Sequence, residues 1–325
     1  MTNIIKQNKN KYIFIFLLSF FAFYQINANE TSPYNFLRNS SNARITGLAG
    51  AVVSLENDPG ALFFNPASIS TTDKRNCNVT FFKHVLDINS GNISYIHNFN
   101  DTTLGTIAAS LVFTNYGSFD YIDEQGVSNG QTFSGNLLSL QSTYSNIIDN
   151  NLYYGATVKL IYNSLEHMSG FAGAIDVGLL YKISDNRSVI GLSVLNVGTE
   201  LKTMTNEHYM MPLDVRIGGS HRLEGLPLLF NLNFTHLNEI TNNFFSRFKN
   251  FAIGGELYFG DIIQVRIGYD NYIRNNVASQ ENKGLSGFAF GIGMVKPDWP
   301  LDINYGMSIY ADNLLIHRFS IDFNL

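Results

Sequence analysis

The groups in this 325-residue chain best suited to an active site are seven histidines, one cysteine and 26 acidic residues. The histidines are His84, His97, His167, His208, His221, His236 and His317. None sits in a His-Glu-x-x-His pattern, and none has cysteines at metal-ligand spacing. No Gly-x-Ser-x-Gly turn presents a nucleophilic serine. Gly254-Gly255 and the glycines from Gly287 to Gly293 lack the helix N-terminus that a phosphate loop needs, and read as strand glycines. Cys77 has no partner for an intrachain disulfide and reads as a small apolar residue. The expectation is a protein that is not an enzyme, with no catalytic residues, cofactor or metal.

Two other groups of residues are candidates for interaction rather than chemistry. One is a pair of turn motifs, containing Asn57, Asp58 and Pro59, then Asn65, Pro66 and Ala67. Pro59 and Gly60 favour a turn, and Asn65-Pro66 disfavours helix before the proline. The other is the set Tyr116, Phe119, Tyr121 and Tyr209, expected in or near long loops. Such side chains suit a protein partner and equally an aromatic girdle at lipid headgroups.

The elements that hold these residues follow from composition and periodicity. Charged residues make up 14% of the chain, against about a quarter in an ordinary soluble domain. The net charge of −5 comes without a basic patch, which argues against nucleic acid as a partner. The one long apolar run, Tyr12–Tyr24, follows Lys6, Lys9 and Lys11 and precedes Ile26-Asn27-Ala28. It falls short of a membrane span and reads as a cleavable signal peptide over residues 1–28.

From Asn76 onward, segments of roughly ten residues alternate apolar with polar, separated by Asn, Asp, Gly and Ser clusters. About fourteen strands result, centred on Phe81, Tyr95, Ala109, Leu140, Thr157, Ile175, Gly191, Ile217, Leu232, Ile253, Val265, Phe290, Tyr305 and Phe319. Loops expected at 115–131, 198–211, 238–248 and 272–283 are long, whereas turns at 148–151, 184–187 and 260–261 are short. That ordering fits a barrel and has no reason to occur in a sandwich. Arg266, Asp270, Asp176, Lys182, Arg318 and Asp322 fall on the polar faces and are expected to line a wet lumen. Tyr258 and Trp299, near short turns, are expected in the periplasmic girdle. The fold class is therefore all-β: a transmembrane antiparallel barrel over residues 76–325, with residues 29–75 as a compact plug segment inside the lumen.

Tyr34-Asn35-Phe36-Leu37, the stretch Ala43-Arg44 to Gly50, Glu56–Asp58 and Asn65-Pro66-Ala67 resemble the start of the PorV/PorQ family, within the wider group of FadL-like barrels. Residues 113–121, 212–218, 251–256 and 284–288 resemble its PorQ branch. The resemblance implies an outer-membrane component of type IX secretion and cell-surface attachment. It would anchor a PorZ-like surface protein beside PorV and the sortase PorU. The alternative is a FadL-like channel for hydrophobic small molecules, against which a polar lumen would weigh.

Overall fold

The computed structural model describes residues 32–39, 42–72, 75–84, 87–123, 126–183, 185–205, 207–239, 241, 243–277, 283–296, 299–311 and 314–325. The expected signal peptide lies outside them. Its strands are β1 (Asn76–Lys83), β2 (Asn89–Asn98), β3 (Thr106–Ile122), β4 (Ser128–Asp149), β5 (Leu152–Leu165), β6 (Met168–Lys182) and β7 (Ser188–Lys202). They continue as β8 (Asp214–Arg222), β9 (Leu228–Phe234), β10 (Phe251–Phe259), β11 (Ile263–Asp270), β12 (Phe288–Val295), β13 (Leu301–Ala311) and β14 (Leu314–Asn324). All fourteen form one closed antiparallel sheet in sequence order, β1 pairing with β14 in the register Phe81↔Phe319. Each of the fourteen centres named above lies within its strand.

Closure answers a physical demand. Hydrocarbon offers no partner for a backbone N–H or C=O, and a closed sheet leaves no unpaired edge. The side chains obey the same logic with a period of two. On β11, Ile263, Val265 and Ile267 are exposed on the outer face while Arg266 on the inner face is buried. On β1, Val79 and Phe81 point outward, and Asn78, Thr80 and Phe82 are buried within. Among the described residues no helix is long and apolar enough to cross a membrane. The strands make the crossing.

The wall is uneven. β3 to β7 run for 14 to 22 residues, β8 to β12 for only 7 to 9. The long loop expected at 115–131 is thereby corrected. A bulge between Asn115 and Ser118, with Gly117 at φ 78°, breaks the alternation, and pairing resumes at Ser118↔Ser134. The loop expected at 198–211 likewise begins later, because β7 continues to Lys202.

Residues 42–72 lie within the barrel. A helix, Ala43–Gly47, is capped by Asn42, whose side chain accepts from the Ile45 amide. Two 3-10 helices follow, Pro59–Phe63 and Pro66–Thr71, capped by Asp58 and Asn65. Glycines on the inner wall admit this segment. A β-carbon on Gly306 would stand 2.3 Å from the Ala43 carbonyl, and one on Gly191 would stand 2.2 Å from that of Val53. Gly155 and Gly178 meet Pro66 and Asn65 in the same way.

The inward face is polar, as expected, but it is covered rather than open. Arg266, Asp176, Arg318 and Asp322 do face inward, but they are at most 6% exposed. They are interleaved with inward apolar residues such as Ile96, Val112, Leu180 and Val189. Eight strands close around their own side chains, and fourteen enclose space for more. Here the N-terminal segment fills it.

Gly191→Leu should unseat that segment while the wall still closes. The expected result is a barrel that keeps its heat-dependent gel mobility but is cut by added protease ahead of Asn76.

Candidate functional site

The segment is held by a chain of buried charges that begins at Asp58. Its Oδ1 accepts from the Gly60 amide at 2.8 Å and from Asn42 Nδ2 at 2.9 Å. Its Oδ2 lies 3.1 Å from Arg44 Nη1. Arg44 then crosses to the wall, donating from Nε and Nη2 to Glu256 on β10 at 3.0 and 2.7 Å. Arg266 on β11 donates to the same carboxylate from Nε at 2.6 Å, and Tyr258 Oη at 2.7 Å. Arg266 continues to Asn304, which donates to Asp322, which also accepts from Asn78. Burial alone would lower the Arg44 pKa, but the Glu256 and Asp58 carboxylates outweigh it and leave it raised. The forked contact of Arg44 and the single bond from Arg266 to one carboxylate give this clamp fixed geometry.

Each residue of the two turn motifs has a place. Asn57 has φ 52°, the left-handed region asparagine tolerates, and its amide donates to Thr71 Oγ1. Asp58 caps and clamps, and Pro59 opens the 3-10 helix behind it. Asn65 Nδ2 donates to Val53 O at 2.8 Å within the segment and to Leu179 O on β6 at 2.9 Å. Its Oδ1 accepts from the Ala67 amide. Pro66 and Ala67 are buried against β5 and β6, and Ala67 O accepts from Ser145 Oγ. The motifs are joints between segment and wall.

Two apolar clusters accompany these joints. Leu62, Phe63 and Phe64 of the segment belong with Ile96, Ala108, Val112 and Leu229 of the wall. Nearer the long-loop end, Tyr34 and Leu37 pack with Ile161, Ala172, Ala174 and Met211. Tyr34 Oη donates to Glu200 at 2.8 Å, and burial together with that carboxylate pushes its phenol pKa up. At the short-turn end lies a cavity of about 310 Å³, lined in part by Arg44, Asp58, Arg187, Arg222 and Tyr258. Tyr258 thus faces the interior, which corrects its expected place in a girdle; Trp299 is exposed under the Lys296 ammonium.

The wall also has a seam. Pairing of β7 with β8 ends at Leu195↔Asp214, although β7 runs on to Lys202. At that point Asn196 has φ 61°, and β7 bulges against β6, pairing shifting from Val177↔Val194 to Ile175↔Val197 with Leu195 and Asn196 opposite Asp176 alone. Lys159, Asp176 and Asn196 fill the irregularity: Lys159 Nζ lies 2.7 Å from Asp176 Oδ2 and donates to Asn196 Oδ1 at 2.7 Å. Asn196 Nδ2 donates to Pro212 O, so the strand-to-strand bonds give way to a side chain and a loop.

The four aromatic candidates do not come together. Phe119 and Tyr121 stand on the far extension of β3 rather than on a loop, both against Phe133 of β4. Tyr121 donates to Glu166. Tyr116 lies at the bulge beside Gly135. Tyr209 is half-buried, packs on the Tyr34 cluster, and its amide donates to Glu200. Sequence reasoning missed Asn42, Arg44 and Glu256 as site residues. Their signal was a charge on the inward phase of a strand, paired with a charge in the segment.

No family model matches the chain, and no curated protein matches it. Solved structures do. A FadL homologue of Pseudomonas aeruginosa superposes with a TM-score of 0.52 at 13% identity, covering 87% of this chain and 98% of that one. The toluene transporter TodX of Pseudomonas putida gives 0.56 at 13%, with 91% and 98% covered. The toluene transporter TbuX of Ralstonia pickettii gives 0.55 at 12%, with 88% and 99%. The fold is FadL-like. At such identities the likeness concerns architecture alone, and the FadL-like barrel carries its own clamp, seam and apolar clusters.

Removing one partner of a buried ion pair costs roughly 3–5 kcal/mol, because the other charge stays buried. Arg44→Met should therefore lower the thermal midpoint of the detergent-solubilised protein. A double variant with Asp58→Asn should recover part of the loss in the same calorimetric scan.

Proposed function

We propose that this chain is an outer-membrane channel for small hydrophobic molecules. The observation that carries the reading is a pair of apolar clusters inside the barrel. The segment that fills the barrel presents Leu62, Phe63 and Phe64 to inward-facing Ile96, Ala108 and Val112, with a second cluster about Tyr34 toward the long loops. A porin for polar solutes has no use for such a lining, whereas a greasy solute can be held by it. The neighbours described as toluene transporters support the same reading.

In this reading the long loops face outward and the short turns face the periplasm. A hydrophobic molecule entering from the loop end meets the Tyr34 cluster first. Its way onward through the axis is filled by the segment and its charged clamp, which favours no apolar solute. The seam beyond Leu195 offers a lateral route, because there the wall is closed by Asn196 bonded to Pro212 rather than by a ladder. Passage to the bilayer would need only the Lys159–Asp176–Asn196 cluster and the chain at Pro212 to shift.

A second reading keeps the PorV/PorQ resemblance: a barrel that anchors a surface protein. What favours it is the β3–β4 extension, where Phe119 and Phe133 stack at 5.4 Å and Ile122 and Val127 are more than 60% exposed. Such rigid aromatic projections suit a protein partner.

Expression in the outer membrane of a host lacking its own hydrophobic-compound channel separates the two. The channel reading expects labelled toluene or oleate to enter faster than in the empty-vector strain. Uptake equal to the vector, from a correctly assembled barrel, would sink it. Co-purification of a surface protein that Phe119→Ser releases would establish the second.

A further inference from the structure

The lipid-facing wall changes character at the long-loop ends of the short strands. Phe234, Phe251, Tyr269 and Phe288 stand there in a row on β9 to β12, on the outward phase of each strand. Phe251 lies opposite Phe234 in the register, and ring centroids are 6.1 Å apart from Phe251 to Tyr269 and 5.1 Å from Tyr269 to Phe288. An aromatic row at strand ends marks the level of the headgroups.

These strands are also too short to clear the membrane alone. With 7 residues in β9 and 9 in β10, a rise of ~3.3 Å per residue and a tilt of ~40° lift the chain only about 18–23 Å. The apolar band of such a barrel is ~25 Å tall. Whatever continues the chain must therefore sit at headgroup depth.

What continues it is the 3-10 helix Phe244–Lys249, capped by Asn243. It lies on the lipid side rather than over the lumen, because Phe248 packs edge-on against outward-facing Phe234 at 5.2 Å. Phe244 and Phe245 are 63% and 74% exposed. Arg247 and Lys249 alternate with them, and the Arg247 guanidinium lies 6.0 Å from the Phe244 ring centre. The neighbouring loop is tied on through Asn271 Nδ2, which donates to Lys249 O at 2.7 Å. It adds Arg274, which donates to the carbonyls of Gly284 and Ser286, and Lys283, which donates to Asn275. None of those acceptors is a carboxylate. Among the described residues of the two loops Glu239 is the one acid, and it accepts from Asn250. Val277 and Leu285 extend the exposed apolar surface.

We propose that this surface binds the phosphate-bearing lipid of the leaflet at the long-loop end. Phe244, Phe245 and Phe248 enter the boundary between headgroup and acyl chain, and Arg247 and Lys249 hold the phosphate. The surface is continuous with the lipid-facing wall and is independent of what passes through the barrel. It also completes the wall where β8 to β12 are low, next to the seam after Leu195.

The test uses the full-length barrel in nanodiscs, with Phe245→Trp in a Trp299→Phe background. Lipids brominated near the carbonyls should quench the new tryptophan more than lipids brominated near the methyl ends. In parallel, the preference for spin-labelled phosphatidic acid over phosphatidylcholine is measured. It should fall roughly fivefold for each cation removed in R247Q and K249Q. K202Q, at the rim of the tall side, should leave it unchanged. An unquenched tryptophan with a water-like emission maximum overturns the proposal. So does an unaltered lipid preference in the R247Q/K249Q double variant.

Discussion

An unpaired backbone amide or carbonyl in hydrocarbon costs several kcal/mol, and this constraint governs the molecule. It requires the sheet to close, with β1 bonded to β14. Closure at fourteen strands then creates a second constraint, since the inward side chains cannot fill so wide a bore. Residues 42–72 fill it, and the wall is shaped to receive them. Gly155, Gly178, Gly191, Gly254, Gly268, Gly291 and Gly306 sit where a β-carbon would collide with the segment. These glycines need no special backbone angle. They need absence of bulk.

Filling a barrel with polypeptide brings polar backbone into a buried place, and the segment's answer is short helices and side-chain caps. Asn42, Asp58 and Asn65 each cap one helix, and each also bonds beyond it. The caps are therefore the joints. The same economy explains why a charge cluster can be buried at all. Glu256 receives Arg44, Arg266 and Tyr258, so its lone pairs are satisfied without water. An arrangement of this kind contributes little to net stability, since desolvation offsets much of the attraction.

The uneven wall connects architecture to function. The tall side, β3 to β7, projects as ordered sheet and carries Phe119 and Tyr121 clear of the membrane. The low side, β8 to β12, ends among aromatic rings at headgroup depth. The seam falls where the two meet, at Leu195↔Asp214. A closed ladder is hard to open, because each bond lost in lipid is costly. Beyond Leu195 the seam holds fewer such bonds, Asn196 Nδ2 to Pro212 O among them.

Strand number, order and facing were legible in the amino-acid sequence because they depend on period-two alternation and turn residues, which are local. Ile263, Val265 and Ile267 against Arg266 and Gly268 can be read without knowing any neighbour. The turn motifs at Asn57 and Asn65 were legible for the same reason. The limits of β3 and β4 were not, since Asn115, Gly117 and Asp120 look like loop residues and only pairing with Phe133 and Ser134 makes them strand. Nor was the nature of the interior. Alternation separates two faces but does not say what lies against the inner one, and charged residues at inward positions suggest water. Only the tertiary structure brings Arg44 to Glu256, 212 residues away in sequence, and covers that polar face with the N-terminal segment. Contacts at such separation depend on barrel closure, a property of the whole chain that no local window contains.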